Sequence, residues 1–228
     1  MEDLSTSNLA VDLGVVDYRE ALGLQRELVD LLGKNKIGDT LLILEHHSVY
    51  TVGRGKKPEN YVGIEVIETE RGGDVTYHGP GQVVFYPIMN LEKLGLMDVR
   101  KFVFKLENVF ISSLSSFGYN ASRGSEPGIW IDGKKVASIG LAIRKGISFH
   151  GIAVNVSKQV IPWFSKINPC GLNPKTIGFV EVEKEELIKS VLYSFSHEFH
   201  PFHLISSRYF KEIIMDNIHY CLTDTGKR

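Results

Sequence analysis

From Ile129 to Val156 the chain reads as three strands in immediate succession: Ile129 to Ile131, Val136 to Ile143 and Ile147 to Val156. Asp132-Gly133 between the first two is a strong tight-turn signal, because such hairpin turns need residues that tolerate positive φ. Strands joined this way pair antiparallel and predict a meander. Further strand patterns run over Leu9 to Val15, Thr40 to Glu45, the alternating stretch after His46-His47, Ile64 to Thr69 and Val83 to Leu91. Pro87 inside the last predicts an edge position or a bulge, since proline cannot donate to a ladder. Three long helices complete the pattern. Asp17 caps one with Ala21, Leu24, Leu28, Leu31 and Leu32 on a single face, ended by Gly33, and Asp98 caps another through Val99, Phe102, Val103, Leu106, Val109, Phe110 and Leu114, ended by Gly118. Glu183 to Phe199 forms the third, and Val160 to Ile167 reads as a short helix interrupted at Pro162. Strands outnumber helices and come in hairpin runs. The prediction is therefore an α+β fold, one domain over residues 1–228, with a mostly antiparallel or mixed sheet flanked by helices.

Charge excludes some classes of function. The 26 basic and 27 acidic residues leave a net charge of -1, which gives no long-range pull toward nucleic acid or an anionic membrane. Two cysteines, Cys170 and Cys221, do not make a disulfide scaffold, so a reducing compartment is expected. The acidic start MEDLSTSNLAVDL is unlike a signal peptide, and no apolar run approaches the ~18 residues that span a bilayer. The expected location is the cytoplasm.

Residues 71–86, RGGDVTYHGPGQVVFY, pack four glycines around an arginine, a histidine and a glutamine. Glycine lacks the Cβ that would hold a ligand off, so the stretch reads as a binding loop. A Rossmann reading fails because no helix opens at its end. Arg71 and Arg54 can hold anions beside these glycines, although single arginines are commonplace. His78 and His150 each precede glycine and can serve as acid–base groups or as hydrogen-bonded structural residues. His46-His47 has no cysteine or carboxylate at ligand spacing, so no metal site is expected. Cys170 lies in the tight turn Asn168-Pro169-Cys170-Gly171. A lone cysteine is more often inert; a nearby cation would favour its thiolate and make it a nucleophile. Lys134 and Lys135 are the candidates, and strand alternation sends them to opposite faces without saying which faces the turn.

Taken together, RGGDVTYHGPGQ (71–82), GKKVASIG (133–140), SFHGIAVNV (148–156) and NPCG (168–171) resemble the octanoyltransferases of lipoate biosynthesis, as does EHHSVYTVGRG (45–55). The four motifs stand in the right order, and the resemblance covers most of the chain, from about the first helix to the last. The resemblance implies the fold of biotin and lipoate protein ligases, over a core of about residues 30–215. It implies transfer of an octanoyl group from octanoyl-acyl carrier protein to a lysine of a lipoyl domain, through a cysteine thioester. The acceptors would be lipoyl domains of 2-oxoacid dehydrogenases or the glycine cleavage H protein. By position, Cys170 would accept the acyl group, and Lys135, immediately before Val136, would lower its pKa. The acyl pocket would be formed by Arg71, Gly72, Gly73, Asp74, Val75, Thr76, Tyr77 and His78, by Ser138, Ile139 and Gly140, and by Gly151, Ile152 and Ala153.

Residue chemistry agrees with that implication. A thioester exchanges with a thiolate nearly isoenergetically, and the acyl-enzyme still reacts with an amine, so no ATP, cofactor or metal is expected. An eight-carbon chain calls for a narrow apolar slot, with Val75, Tyr77 and Ile139 as its expected walls. The protein is expected to act as a monomer. A basic patch at Arg144 and Lys145, or at Arg54, Lys56 and Lys57, would dock the carrier. The alternative on the same fold is an ATP-dependent lipoate or biotin ligase, which has no need of a nucleophilic thiol.

Overall fold

The computed structural model describes the backbone of residues 7–224, with the side chains of residues 7–169 and 171–215. In chain order the elements are β1 (Leu9–Val16), α1 (Tyr18–Gly33), β2 (Thr40–His46), β3 (Val49–Val52), β4 (Ile67–Glu68), β5 (Thr76–His78) and β6 (Gln82–Ile88). There follow α2 (Val99–Ser115), β7 (Gly128–Ile131), β8 (Lys134–Arg144), β9 (Ile147–Asn155), α3 (Ile161–Phe164), α4 (Lys184–Glu198), β10 (His203–Ile205) and α5 (Ser207–Asp224). Seven strands form one sheet in the order β10-β1-β2-β6-β9-β8-β7, and β4-β3-β5 form a smaller one. No described helix is long and apolar enough to cross a membrane.

The sheet divides the core in two because alternate residues of a strand point to opposite faces. In β2, Leu41 and Ile43 join Phe102, Leu106 and Phe110 of α2 and Leu187, Val191 and Phe195 of α4. Leu42 and Leu44 join Ala21, Leu28 and Leu32 of α1 and Phe210 of α5 on the other side. Asp17 caps α1 by accepting from the Arg19 N–H (2.8 Å), and Asp98 caps α2 by accepting from the Arg100 N–H (3.0 Å). The meander β7-β8-β9 is antiparallel throughout. Its two turns, Asp132-Gly133 (φ 48° and 73°) and Lys145-Gly146 (φ 52° and 76°), both use consecutive positive φ values.

Several local expectations differ from the structure. β1 and β2 are parallel, joined through α1, so one β-α-β unit precedes the antiparallel strands. Pro87 is in an interior strand, opposite Leu41, rather than at an edge. Nor is there a bulge: the register is the same on both sides of Pro87, Phe85 opposite Ile152 and Asn90 opposite Ile147, and the missing N–H falls where the β6–β9 ladder is interrupted and β9 kinks at His150, whose φ is 55°. Beyond the kink, the Ser148 hydroxyl donates to the Pro87 carbonyl (2.7 Å), and the Met89 N–H donates back to that hydroxyl (3.1 Å). Ile64 to Thr69 contributes only the two residues of β4. Pro162 opens α3 rather than interrupting it, because a first-turn residue has no intrahelical N–H bond to lose. β10 and α5 follow the last expected helix, and β10 adds a parallel edge strand beside β1.

Candidate active site

A cavity lies against the sheet face that carries Val84, Tyr86 and Ala153. Ser138, Ile139 and Gly140 of β8 and His150, Gly151 and Ile152 of β9 continue that wall. Arg71, Gly73, Val75, Thr76 and His78 face it from the glycine loop and β5, with Tyr18 from the start of α1. Lys135, Pro169, Leu172 and Ile177 close the remainder.

Strict alternation would put Lys135 on the face of Ala137, in the core beneath α2 and α4. A register shift prevents this: Ile129 pairs with Ala137 but Trp130 pairs with Lys135, leaving Val136 as a bulge. The extra residue changes the phase of the strand, so Lys135 shares the cavity with Ser138 and Gly140. Lys135 is only 4% exposed, whereas Lys134 is exposed and donates to the Lys175 carbonyl. The ambiguity between the two lysines is thereby removed.

The glycine loop is braced from behind by the Gly53-Arg54-Gly55 segment. Arg54 N–H donates to the Arg71 carbonyl (2.9 Å), and Gly55 N–H to the Gly73 carbonyl (2.9 Å). A Cβ on Gly53 would lie 2.5–2.8 Å from the carbonyl oxygens of residues 71–73, so only glycine fits that close approach. Gly72 N–H ties the loop to Leu141 of β8 (2.8 Å). Arg71 does not await an anion; its guanidinium donates to the Thr51 carbonyl (2.9 Å), the Thr51 hydroxyl (3.0 Å) and the Gly72 carbonyl (3.0 Å).

Asp74 is buried and turned away from the cavity. Its carboxylate accepts from the Lys57 N–H (3.0 Å) and the Asn60 side-chain amide, and the Asn60 carbonyl accepts from Asn168 N–H (2.9 Å). The binding loop and the cysteine-bearing turn are thus tied through Asn60. Tyr77 is not a wall of the slot either. Its ring stacks on Trp163 (5.5 Å) and meets Phe164 edge-on (5.8 Å). Gly72, Asp74 and Tyr77 therefore support the cavity from behind, while the other expected pocket residues line it.

Three histidines crowd one side. The Val16 carbonyl can only accept, so His46 donates to it from Nδ1 (2.9 Å), and its Nε2 accepts from the Tyr86 hydroxyl (2.8 Å). His78 donates from Nδ1 to Gln82 Oε1 (3.2 Å). Gln82 donates onward to Asn155 Oδ1 (2.8 Å), and Asn155 to the Gly178 carbonyl (2.8 Å). His150 N–H donates to Gln25 Oε1 (2.7 Å), which holds the kinked backbone, and its Nε2 stands 3.7 Å from Glu70. Burial drives the pKa of His46 and of His150 down to about 4. Burial, reinforced by His46 and the Arg71 cation, holds His78 well below its ordinary value. Burial also pushes the Tyr86 hydroxyl well above 10. All three imidazoles are neutral at neutral pH.

Cys170 lies in the 3-10 turn Pro169–Gly171, between two cavity-lining residues, Pro169 and Leu172. The open volume of the cavity is about 40 Å³, room for roughly three water molecules. An eight-carbon chain therefore enters only if side chains of the wall shift. Tyr18, Val84, Tyr86, Leu172 and Ile177 line the site without having been singled out in the sequence. Val84 and Tyr86 had a signal, the alternation of β6; Tyr18 had none beyond following the Asp17 cap. Among the described residues no cluster of side chains is arranged to hold a metal ion.

Residues 17–191 match the lipoyl protein ligase A/B catalytic domain family, and the chain belongs to that family. An octanoyltransferase of Pelobacter propionicus is 44% identical over 173 residues, covering 75% of this chain and 82% of the relative. An octanoyltransferase of Caldicellulosiruptor saccharolyticus is 40% identical over 221 residues, covering 89% and 93%. The fold is also that of a lipoate-protein ligase A bound with ATP (TM-score 0.73, 16% identity, 92% of this chain and 93% of that one). A bipartite lipoate protein ligase from Thermoplasma acidophilum gives a TM-score of 0.68 at 16% identity, over 92% and 91% of the two chains.

Proposed function

We propose that the protein transfers an octanoyl group from acyl carrier protein to a lysine of a lipoyl domain, with Cys170 as the covalent acceptor and Lys135 as its proton partner. The observation that carries this reading is that the cysteine-bearing turn and the buried Lys135 close the same cavity as the glycine loop. Similarity to octanoyltransferases at 40–44% identity supports the same assignment.

Each step balances. The Cys170 proton passes to the Lys135 amine, giving thiolate and ammonium. The thiolate attacks the thioester carbon, the carrier thiolate leaves, and the Lys135 ammonium protonates it. The acceptor lysine then attacks the acyl-cysteine; Lys135, now neutral, takes the proton from nitrogen as the Cys170 thiolate departs, which restores the starting pair. Energy is conserved in the thioester, so no nucleotide enters. Once the wall shifts to admit the acyl chain, Val75, Val84, Ile139 and Ile152 supply apolar contact.

Incubation with octanoyl-acyl carrier protein should add one octanoyl group to the wild-type chain by intact mass. Cys170→Ser should gain none under the same conditions, and Lys135→Ala should gain it at least 100-fold more slowly, the scale of lost proton transfer. Transfer to a lipoyl domain that needed ATP and survived Cys170→Ala would replace this reading with that of a ligase.

A further inference from the structure

The near-zero net charge conceals a partition. Residues 133–180 contain seven Lys and Arg and no Asp or Glu, so the rest of the chain holds the other 19 basic residues and all 27 acidic ones. Two of the seven, Arg144 and Lys145, stand at the far end of β8 from Lys134, about 33 Å away at the rise of an extended strand. Arg144 is also paired with Asp30 (3.4 Å). Four others, Lys134, Lys158, Lys166 and Lys175, are exposed on the segments around the cysteine-bearing turn. None of these four meets a carboxylate in a salt bridge among the described residues. The second basic cluster, Arg54 to Lys57, is partly neutralised, because Lys56 is bound by Glu68 (2.8 Å).

A groove of about 590 Å³ runs between Lys134 and Lys175, floored by Val136, Ile161, Ile177 and Phe179, with Asp132 the carboxylate on its rim. Ile177 lines this groove and the reaction cavity alike and is bridged to Lys135, so the groove adjoins the end of the cavity that holds Lys135. Beside it, Trp163 is 36% exposed, with Lys166 Nζ 4.2 Å from its ring centre.

We propose that this lysine-rimmed groove is the docking surface for an acidic acyl carrier protein; the inference rests on the transferase reading above and names where its donor binds. Unpaired lysines steer an acidic partner and set its orientation, and the apolar floor supplies contact that excludes water. A carrier presents its thioester on a long phosphorylated arm, which needs a groove and cations to lie along. An acceptor lysine is a single side chain and needs neither.

The test is equilibrium binding of unacylated holo-acyl carrier protein, titrated into the wild-type chain and two charge-reversed variants at low and high salt. Lys134→Glu/Lys175→Glu should weaken carrier binding about tenfold and flatten its salt dependence, as loss of rim charges does. Lys134→Gln/Lys175→Gln should give a smaller loss in the same direction, and an unchanged melting temperature would show that both pairs of substitutions leave the fold intact. Arg144→Glu/Lys145→Glu should bind as wild type does. Wild-type affinity in the Lys134/Lys175 variant, or a loss confined to the Arg144/Lys145 variant, would overturn the proposal. So would a Lys134/Lys175 variant that lost affinity for a lipoyl domain but kept the carrier. The titration carries no acyl group, so lysine-dependent carrier binding here, together with no mass gain at Cys170 in the separate incubation with octanoyl-acyl carrier protein, would keep this surface and remove the transferase reading.

Discussion

Burial holds His46, His78 and His150 in the neutral form, and that has a consequence for stability that runs in one direction. In the unfolded chain each imidazole takes up its proton near pH 6.5, whereas in the folded chain His46 and His150 do so only at about 4. Between those values the unfolded state binds more protons, so their contribution is complete above pH 6.5 and is lost as pH falls toward 4. The loss is about 1 kcal/mol per pH unit for each histidine. Thermal melting followed from neutral pH down to about 4.5 should show a steady fall, shallower in His46→Gln, which keeps a donor for Val16 and an acceptor for Tyr86. A melting temperature that stayed flat across this window would sink the idea. At this scale the sequence was only partly legible. His78 and His150 could be read as catalytic or structural, because burial and partners such as Gln25, Gln82 and Asn155 come from distant positions. Lys134 and Lys135 could not be separated by period-2 alternation, because the Val136 bulge that changes the phase carries no glycine or proline to announce it.

Elements at the site are held by contacts between segments that look unrelated in the sequence. The Gly53-Arg54-Gly55 stretch suggested an anion site; its backbone instead docks the glycine loop, and Gly53 sits against three carbonyl oxygens. Gly53→Ala should destabilise the fold by roughly 1–3 kcal/mol, the cost of overpacking against backbone that cannot rotate away. Denaturant titration would measure it, and a loss below about 0.5 kcal/mol would show that the loop yields freely. Asp74 illustrates the same point from the other side. Its place in the binding motif was legible, but its work is to accept from Lys57 and Asn60, and through Asn60 it braces the turn that carries Cys170. Asp74→Ala leaves the buried Asn60 amide and the part-buried Lys57 N–H unpaired, which should cost about 1–3 kcal/mol. It should also raise the alkylation rate of Cys170 in the native protein if the turn loosens. An unchanged rate together with unchanged stability would remove Asp74 from this bracing role. Long amphipathic helices and hairpins were readable because their signals are local and repeat several times; these braces are single contacts across the fold.

For the whole molecule, the least legible part is the end of the chain, and it completes the sheet. β10 is three residues, HLI, of which His203 and Leu204 are exposed, too short to show a strand period. Its place comes from pairing with the parallel neighbour, Leu9 opposite His203 and Val11 opposite Ile205, which covers an edge that β1 would otherwise present to solvent. α5 then folds back so that Phe210 and Ile214 pack with Val11, Leu42 and Leu44 on the α1 side of the sheet. These residues do not line the cavity, yet they support the β1-α1-β2 unit that presents Tyr18 to it and Gln25 to the His150 backbone. A chain ended after Phe202 loses three buried apolar side chains among the described residues, Phe210, Ile213 and Ile214, about 6 kcal/mol of burial, and exposes the β1 edge. Thermal melting should show a marked drop, and light scattering should show association through the uncovered edge. If the shortened chain kept the full-length melting temperature and stayed monodisperse, β10 and α5 would be attachments to the sheet rather than part of what holds it together.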